Sequence, residues 1–80
     1  MIIQSTIFNG KTIAVTGKLR QYTREEINRK IVSLGAKASK TVSGNTDFLI
    51  VGEKAGSKLI KARLLNVKTL TEEEFEVLAM

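Results

Sequence analysis

Short apolar runs alternate along the chain with stretches in which apolar residues recur every three or four positions. Residues 11–15 and 47–51 are nearly continuous apolar runs, and a glycine follows each within two residues. Runs of this kind, without alternating polar positions, are typical of strands that are covered on both faces, as in a parallel sheet. Shorter strands are predicted at residues 37–38 and 68–70.

Two capping boxes, in which a threonine precedes a glutamate by three positions, mark helix starts at residues 23–26 and 71–74. Ile27, Ile31 and Leu34 follow the first box at helical spacing, and a glycine comes next, where helices commonly end. A further helix is predicted from about residue 57 to residue 65. The predicted order is β-α-β-β-α-β-α, which makes an α/β domain. Its core is expected to contain the side chains of Phe8, Phe48, Leu59 and Phe75.

The length of 80 residues predicts one small domain, placed at residues 8–80, with residues 1–7 as an irregular apolar extension. The chain has no His and no Cys, which excludes Ser-His and Cys-His catalysis, disulfides and the usual zinc ligands. We therefore expect no enzyme activity, no cofactor and no metal site. No apolar run approaches the roughly 20 residues that span a bilayer, and residues 1–7 lack the features of a signal peptide. We expect a cytoplasmic protein of a reducing compartment, without a membrane partner.

The net charge of +5 is unevenly distributed. Residues 72–80 contain four of the eight acidic residues and no basic one, so the remaining chain has 13 basic and 4 acidic residues, or +9. A basic body with an acidic C-terminal helix indicates a surface for polyanions. Ordinary solubility charge is the alternative interpretation, because small domains commonly carry net charges of this size.

Two of the predicted helices begin with a cation in the first turn, Arg24 in one and Lys58 in the other. The positive end of the helix dipole disfavours cations at these positions, so a bound anion would explain both. If the two long strands are neighbours, their helices leave on opposite faces and open a crevice. We predict a phosphate site there, formed by the Thr16 hydroxyl, the Gly17 backbone N–H, Arg24 and Lys58. The alternatives are a strand-ending turn at residues 16–17 and solvated helix residues at the two cations.

Blocks of the sequence, taken in order, resemble the BRCT domain. They are FNGKTIAVTG at residues 8–17, TREE at 23–26, LGAK at 34–37, the segment 41–52, the segment 56–62 and EEF at 73–75. The resemblance covers about residues 8–79 and is greatest to the C-terminal BRCT domain of bacterial NAD-dependent DNA ligases. It implies a four-stranded parallel sheet of order 2-1-3-4, with the first and third helices on one face and the second on the other.

The resemblance also implies a function. In phosphate-binding members, the positions of Thr16, Gly17 and Lys58 hold the phosphate, and the position of Arg24 is added in members that bind 5′-phosphorylated DNA ends. Phe75 stands where many members have Trp, and the single copy argues against the phosphopeptide reading of tandem pairs. We therefore expect a non-catalytic module that binds 5′-phosphorylated DNA ends or nicks in bacterial DNA repair or replication, close to the nucleoid. Flanking DNA contacts are predicted at Lys18, Arg20, Lys54 and Lys61.

The alternative is a protein-interaction module, either a homodimer or a docking domain for another repair or replication protein. Ile2, Ile3 and Ile7, in the apolar extension, favour this interpretation.

Overall fold

Four parallel strands form the centre of the computed structural model, which describes residues 7–79. The strands are β1 (Thr12–Thr16), β2 (Lys37–Ser39), β3 (Phe48–Val51) and β4 (Lys68–Thr71), and the helices are α1 (Arg24–Ser33), α2 (Ser57–Leu64) and α3 (Glu72–Leu78). The strand order is β2-β1-β3-β4. The predicted α/β class, element order and strand order are all confirmed.

The predicted strands differ from the observed ones at their ends by about one residue. Asp47, predicted to open the third strand, lies just before β3. Its backbone N–H donates to the Thr12 carbonyl oxygen and its Oδ2 accepts from the Thr12 N–H, both at 2.8 Å. The carboxylate thus replaces a strand partner at the start of β1, a role that the apolar pattern does not reveal.

The sheet separates two apolar clusters, one on each face. The larger cluster packs α1 and α3 on one face, and its fully buried side chains are Phe8, Ile13, Ile27, Ile31, Ile50 and Phe75. The smaller cluster packs α2 on the other face, through Ala14, Leu49 and Ala62. Successive residues of a strand point to opposite faces, which explains why neighbours such as Ile13 and Ala14 belong to different clusters. The helices therefore lie on the faces that the resemblance implies.

The predicted aromatic core is largely confirmed. Phe8 and Phe75 are fully buried, and their ring centroids lie 5.4 Å apart. Phe48 meets Phe8 edge to face at 5.2 Å and is half-buried. Leu59 is also half-buried and packs against the smaller cluster. Phe75, which by the resemblance stands where many members have Trp, is part of this core.

Helix α2 buries little of its surface. Ala62 is its one fully buried residue, whereas Ile60 is 63% exposed and Leu64 is 78% exposed. The apolar residues of this helix are therefore only partly in the core. The helix ends at Leu64, and Asn66 adopts a left-handed conformation (φ 59°) just after it, as a C-terminal cap often does.

Both predicted capping boxes are present, at Thr23 with Glu26 and at Thr71 with Glu74. Thr71 is also the last residue of β4, so α3 follows the strand with no residue between them. Because a capping side chain satisfies N–H groups at the helix start, each box fixes where its helix begins.

The loops after β1 and β3 are joined backbone to backbone. Lys18 and Glu53 exchange two backbone hydrogen bonds of 2.9 and 2.8 Å, and the Gly52 N–H donates to the Thr16 carbonyl at 2.8 Å. Gly17 has φ +79°, and a Cβ there would lie 2.6 Å from the Glu53 carbonyl oxygen. Only glycine tolerates both the conformation and the close approach. The two loops therefore form one unit at the carboxyl edge of the sheet.

Residues 1–6 lie outside the described part of the chain, and with them Ile2 and Ile3 of the predicted partner-binding arm. Ile7 is described and is 43% exposed. The domain boundary at residue 8 stays a prediction. No helix within residues 7–79 is long and apolar enough to cross a bilayer.

Candidate phosphate-binding site

A cavity of about 310 Å³ opens at the carboxyl ends of β1 and β2, between the starts of α1 and α2. Three cations line it, each from a different segment: Arg24 from α1, Lys40 from the loop after β2 and Lys58 from α2. Asn28 and Ser39 add polar groups, and none of the acidic residues within residues 7–79 is part of the lining. We call this space the cationic cavity. Its charge and its polar lining suit an anion.

The cationic cavity brings together Arg24 and Lys58, two of the predicted site residues. Arg24 is exposed at the first position of α1. Lys58 is half-buried, and its Nζ donates to the Lys40 carbonyl oxygen at 2.8 Å. This hydrogen bond holds the ammonium group across the end of β2, beside the cavity. The two predicted cations therefore converge, although they come from helices on opposite faces of the sheet.

Gly17 and Thr16 have different positions relative to this pair. Gly17 lines a neighbouring cavity of about 470 Å³, which also contains Arg24. Arg24 thus stands between the two spaces. Thr16 is 6% exposed and lines neither of them. By strand alternation its side chain lies on the face of α2, the helix that carries Lys58. The participation of the Thr16 hydroxyl and the Gly17 N–H in phosphate binding stays a prediction.

Lys40 was missed by the sequence analysis. It follows β2 directly, and the carboxyl ends of parallel strands are where ligands bind in open α/β sheets. The position of Lys40 after a strand could have identified it as a site residue. However, β2 is only three residues long, and its carboxyl end was predicted less clearly than the carboxyl ends of the two long strands.

Glu72 was also missed, because the sequence shows it only as one of four acids in the C-terminal helix. Its side chain is buried, with the residue only 6% exposed. Oε1 accepts a hydrogen bond from the Arg20 backbone N–H at 2.8 Å, and Oε2 accepts one from the Gln21 backbone N–H at 2.7 Å. This carboxylate of α3 therefore binds the β1–α1 loop (residues 17–23), which leads to Arg24. The contact joins residues about 50 positions apart, and no local pattern indicates it.

Comparison with known proteins supports the fold and the resemblance. The family profile described as BRCA1 C Terminus (BRCT) domain matches residues 3–78. The chain belongs to the BRCT family. This BRCT domain shares its fold with the solved structure of S. pombe Rad4 BRCT3,4. The TM-score is 0.76, the match covers 95% of the chain and 43% of that structure, and the sequence identity is 20%.

The BRCT domain is also similar in sequence to parts of bacterial DNA ligases. It is 53% identical over 76 residues to DNA ligase 1 of Clostridium acetobutylicum, and 54% identical over 74 residues to the DNA ligase of Thermotoga petrophila. These matches cover 95% and 92% of the chain, but only 12% and 11% of the ligases. The chain thus spans about a tenth of the length of these relatives.

The predicted flanking cations of the BRCT domain have different surroundings. The Arg20 Nε donates to the Glu53 carboxylate at 2.8 Å in an exposed ion pair, and this hydrogen bond raises the pKa of Arg20 above its usual value. Lys18 lines the cavity of Gly17, whereas Lys61 lines an apolar groove on α2. Lys54 is exposed, with a left-handed backbone (φ 56°). Their contacts with DNA stay predictions.

Tyr22 places the phenol of the β1–α1 loop of the BRCT domain near α3. Interaction with the Glu76 carboxylate, together with burial of the ring, raises the pKa of Tyr22 to about 12. The ring also packs against the larger apolar cluster. The segment that precedes Arg24 therefore packs against α3, and Glu72 is the carboxylate that hydrogen-bonds its backbone.

Proposed function

We propose that this BRCT domain is a non-catalytic module that binds the 5′-phosphate of a DNA end or nick. The observation that carries the proposal is the cationic cavity, where three cations from three segments meet without an acidic residue. Repulsion among converging cations is relieved when an anion neutralises them. A side-chain cluster of this composition is therefore suited to a multiply charged anion.

A terminal phosphate fits this chemistry well. The Arg24 guanidinium offers a planar pair of donors, which suits two phosphate oxygens, and the Lys58 ammonium adds a compact point charge. A terminal phosphomonoester carries close to two negative charges at neutral pH, whereas a backbone phosphodiester carries one. Three cations therefore favour a terminal phosphate over the internal ones.

We propose DNA as the carrier of this phosphate, and the support for this choice is the similarity of the chain to parts of DNA ligases. The wider charge distribution agrees, since the chain outside residues 72–80 has 13 basic and 4 acidic residues. We propose that Lys18, Lys54 and Lys61 contact the flanking backbone, where such contacts position DNA without reading its sequence. Arg20 would contribute less, because Glu53 already neutralises it.

Fluorescence anisotropy tests the proposal with two duplexes that differ only in a 5′-phosphate or a 5′-hydroxyl. We expect tighter binding to the phosphorylated duplex. Arg24→Ala, Lys40→Ala and Lys58→Ala should each weaken that binding about tenfold or more, the size expected for one charge-assisted hydrogen bond. The matched control is Lys68→Ala, which removes the same charge from an exposed residue at the amino end of β4.

Titration at two salt concentrations separates the terminal phosphate from the general charge effect. Contacts to the backbone weaken steeply with salt, and both duplexes share them. The ratio of the two affinities should therefore persist at higher salt. Equal affinities for the two duplexes, unchanged by the three cavity substitutions, would refute a 5′-phosphate site.

A second candidate function is protein interaction, which the apolar groove on α2 favours. Ile60 and Leu64 stand one turn apart, largely exposed, and line a groove of about 380 Å³ with Lys58 and Lys61 at its border. Exposed apolar side chains grouped on one face, with polar residues around them, are typical of a protein contact. We propose a second copy of this chain as the occupant, because its α3 offers exposed Val77 beside several glutamates, complementary to the lysines.

A further inference from the structure

Helix α3 carries a residue that bears on the cationic cavity without lining it. Glu72 is the only buried carboxylate among residues 7–79, and both of its oxygens are used on the backbone of the β1–α1 loop. Burying a charge is costly unless hydrogen bonds compensate it. The backbone N–H groups of the loop provide this compensation for the buried Glu72 carboxylate.

The loop needs an external acceptor at this point. Arg20 and Gln21 lie between the end of β1 and the start of α1, where the chain has left the sheet and has not yet entered the helix. Elsewhere the loop is fixed by Lys18, through its backbone bonds to Glu53, and by Leu19, which is buried in the larger cluster. Glu72 supplies the two acceptors between these anchors and the capping box that begins α1.

We propose that Glu72 is the positioning residue of the phosphate site: its carboxylate fixes the β1–α1 loop and thereby sets where Arg24 stands at the border of the cationic cavity. Only two residues, Tyr22 and Thr23, separate Gln21 from Arg24, so a displacement at the hydrogen-bonded amides is passed directly to the start of α1. This inference rests on the proposed function and extends it to a residue of another helix.

The sign of the effect separates this role from simple electrostatics. Glu72→Gln removes a negative charge and raises the net charge from +5 to +6. Charge alone would then strengthen binding to DNA. Loss of positioning would weaken it, because an amide side chain offers one acceptor oxygen where the carboxylate offers two. The two explanations predict opposite changes.

The experiment measures the affinity of the whole chain for the 5′-phosphorylated duplex. We expect Glu72→Gln to bind about tenfold more weakly, as for a residue within a coupled network. The matched control is Glu73→Gln, which makes the same charge change at the neighbouring exposed position and should bind as tightly as the unsubstituted chain or slightly more tightly. Glu72→Gln binding as tightly as this control would overturn the inference.

A double-mutant cycle distinguishes positioning of Arg24 from a general structural role of Glu72, because it measures whether the two affinity losses depend on each other. If Glu72 acts through Arg24, Glu72→Gln should cost little further affinity once Arg24→Ala is present. In the background of Lys58→Ala, Glu72→Gln should cause the same loss of affinity as it does alone. The reason is that the Lys58 side chain is held by the Lys40 carbonyl oxygen and not by the β1–α1 loop. Equal losses in both backgrounds would contradict positioning of Arg24.

Two further measurements keep the test decisive. The backbone amide resonances of Arg20 and Gln21 should shift in Glu72→Gln, and circular dichroism reports whether the variant is folded. If it is unfolded, Glu72→Asp keeps the charge with a shorter reach and should again bind more weakly. If folded Glu72→Gln keeps the full preference for the 5′-phosphorylated duplex, this inference alone is overturned. If the unsubstituted chain has no such preference, the proposed function is refuted as well.

Discussion

At the scale of single residues, the site depends on three charged side chains and on one glycine, Gly17. Arg24, Lys40 and Lys58 supply charge around the cationic cavity. Gly17 supplies space, since it lets the loops after β1 and β3 touch through their backbones. The close approach holds the β1–α1 loop at its first residue, and Glu72 holds it further on.

We expect Gly17→Ala to lower the free energy of unfolding by about 3 kcal/mol or more, because strain at positive φ adds to a clash with the Glu53 carbonyl. Gly10→Ala is the matched control, since Gly10 also has positive φ (+76°) but no atom of residues 7–79 lies within 4 Å of the added Cβ. That variant should lose only about 1 kcal/mol. Urea denaturation measures both. Equal losses would show that the backbone contact contributes nothing.

At the scale of elements, α3 acts on the start of α1 although the two helices are far apart in sequence. Glu72 hydrogen-bonds the loop backbone, and Glu76 acts on the pKa of the Tyr22 phenol. Both carboxylates come from the acidic C-terminal helix. The acidic C-terminal helix is therefore in part a support for the basic site.

The link between Tyr22 and Glu76 predicts a pH dependence. The pKa of Tyr22 is raised from 10.0 to about 12 in the folded chain. The unfolded chain therefore loses this proton at a lower pH than the folded one, so the stabilisation is complete below pH 10 and is lost as pH rises from 10 to about 12.

Ultraviolet absorbance follows this titration directly, because the chain has one Tyr and no Trp. We expect tyrosinate to form well above its ordinary pH range while the chain stays folded. Glu76→Gln should move the pKa back toward 10, and Glu73→Gln, which is not among the residues acting on Tyr22, should leave it raised. An ordinary titration in the unsubstituted folded chain would contradict the contact.

Local patterns in the sequence predicted most of the elements but not all of the site. Runs such as residues 47–51 identify a buried strand, and a capping box identifies a helix start because both depend on neighbouring residues. The strand order came from the resemblance. The roles of Glu72 and Lys40 depend on which distant segments meet in space: the first contact spans 51 and 52 positions, and the second spans 18. No periodicity reports such contacts.

At the scale of the whole molecule, the two proposed functions use adjoining surfaces. The cationic cavity and the apolar groove share Lys58, in the first turn of α2. A ligand in one is therefore close enough to affect the other.

Sedimentation velocity over a range of concentrations tests self-association through the groove. If a second copy binds there, the mass should rise with concentration, and the double variant Ile60→Ser with Leu64→Ser should remain a monomer. Val32→Ser is the matched control, because Val32 is also 61% exposed but lies on α1. A monomer at every concentration in the unsubstituted chain would remove the second copy as the occupant.

The direct junction between β4 and α3 has a consequence for anyone who redesigns this domain. Because Thr71 ends the strand and Glu72 begins the helix, the orientation of the carboxylate is set by the register of the last strand. One residue inserted at this junction would turn the helix by about 100° and carry the carboxylate away from the loop. Length changes are therefore better placed in the turn around Gly44, where an added Cβ would meet no atom of residues 7–79, than at this junction.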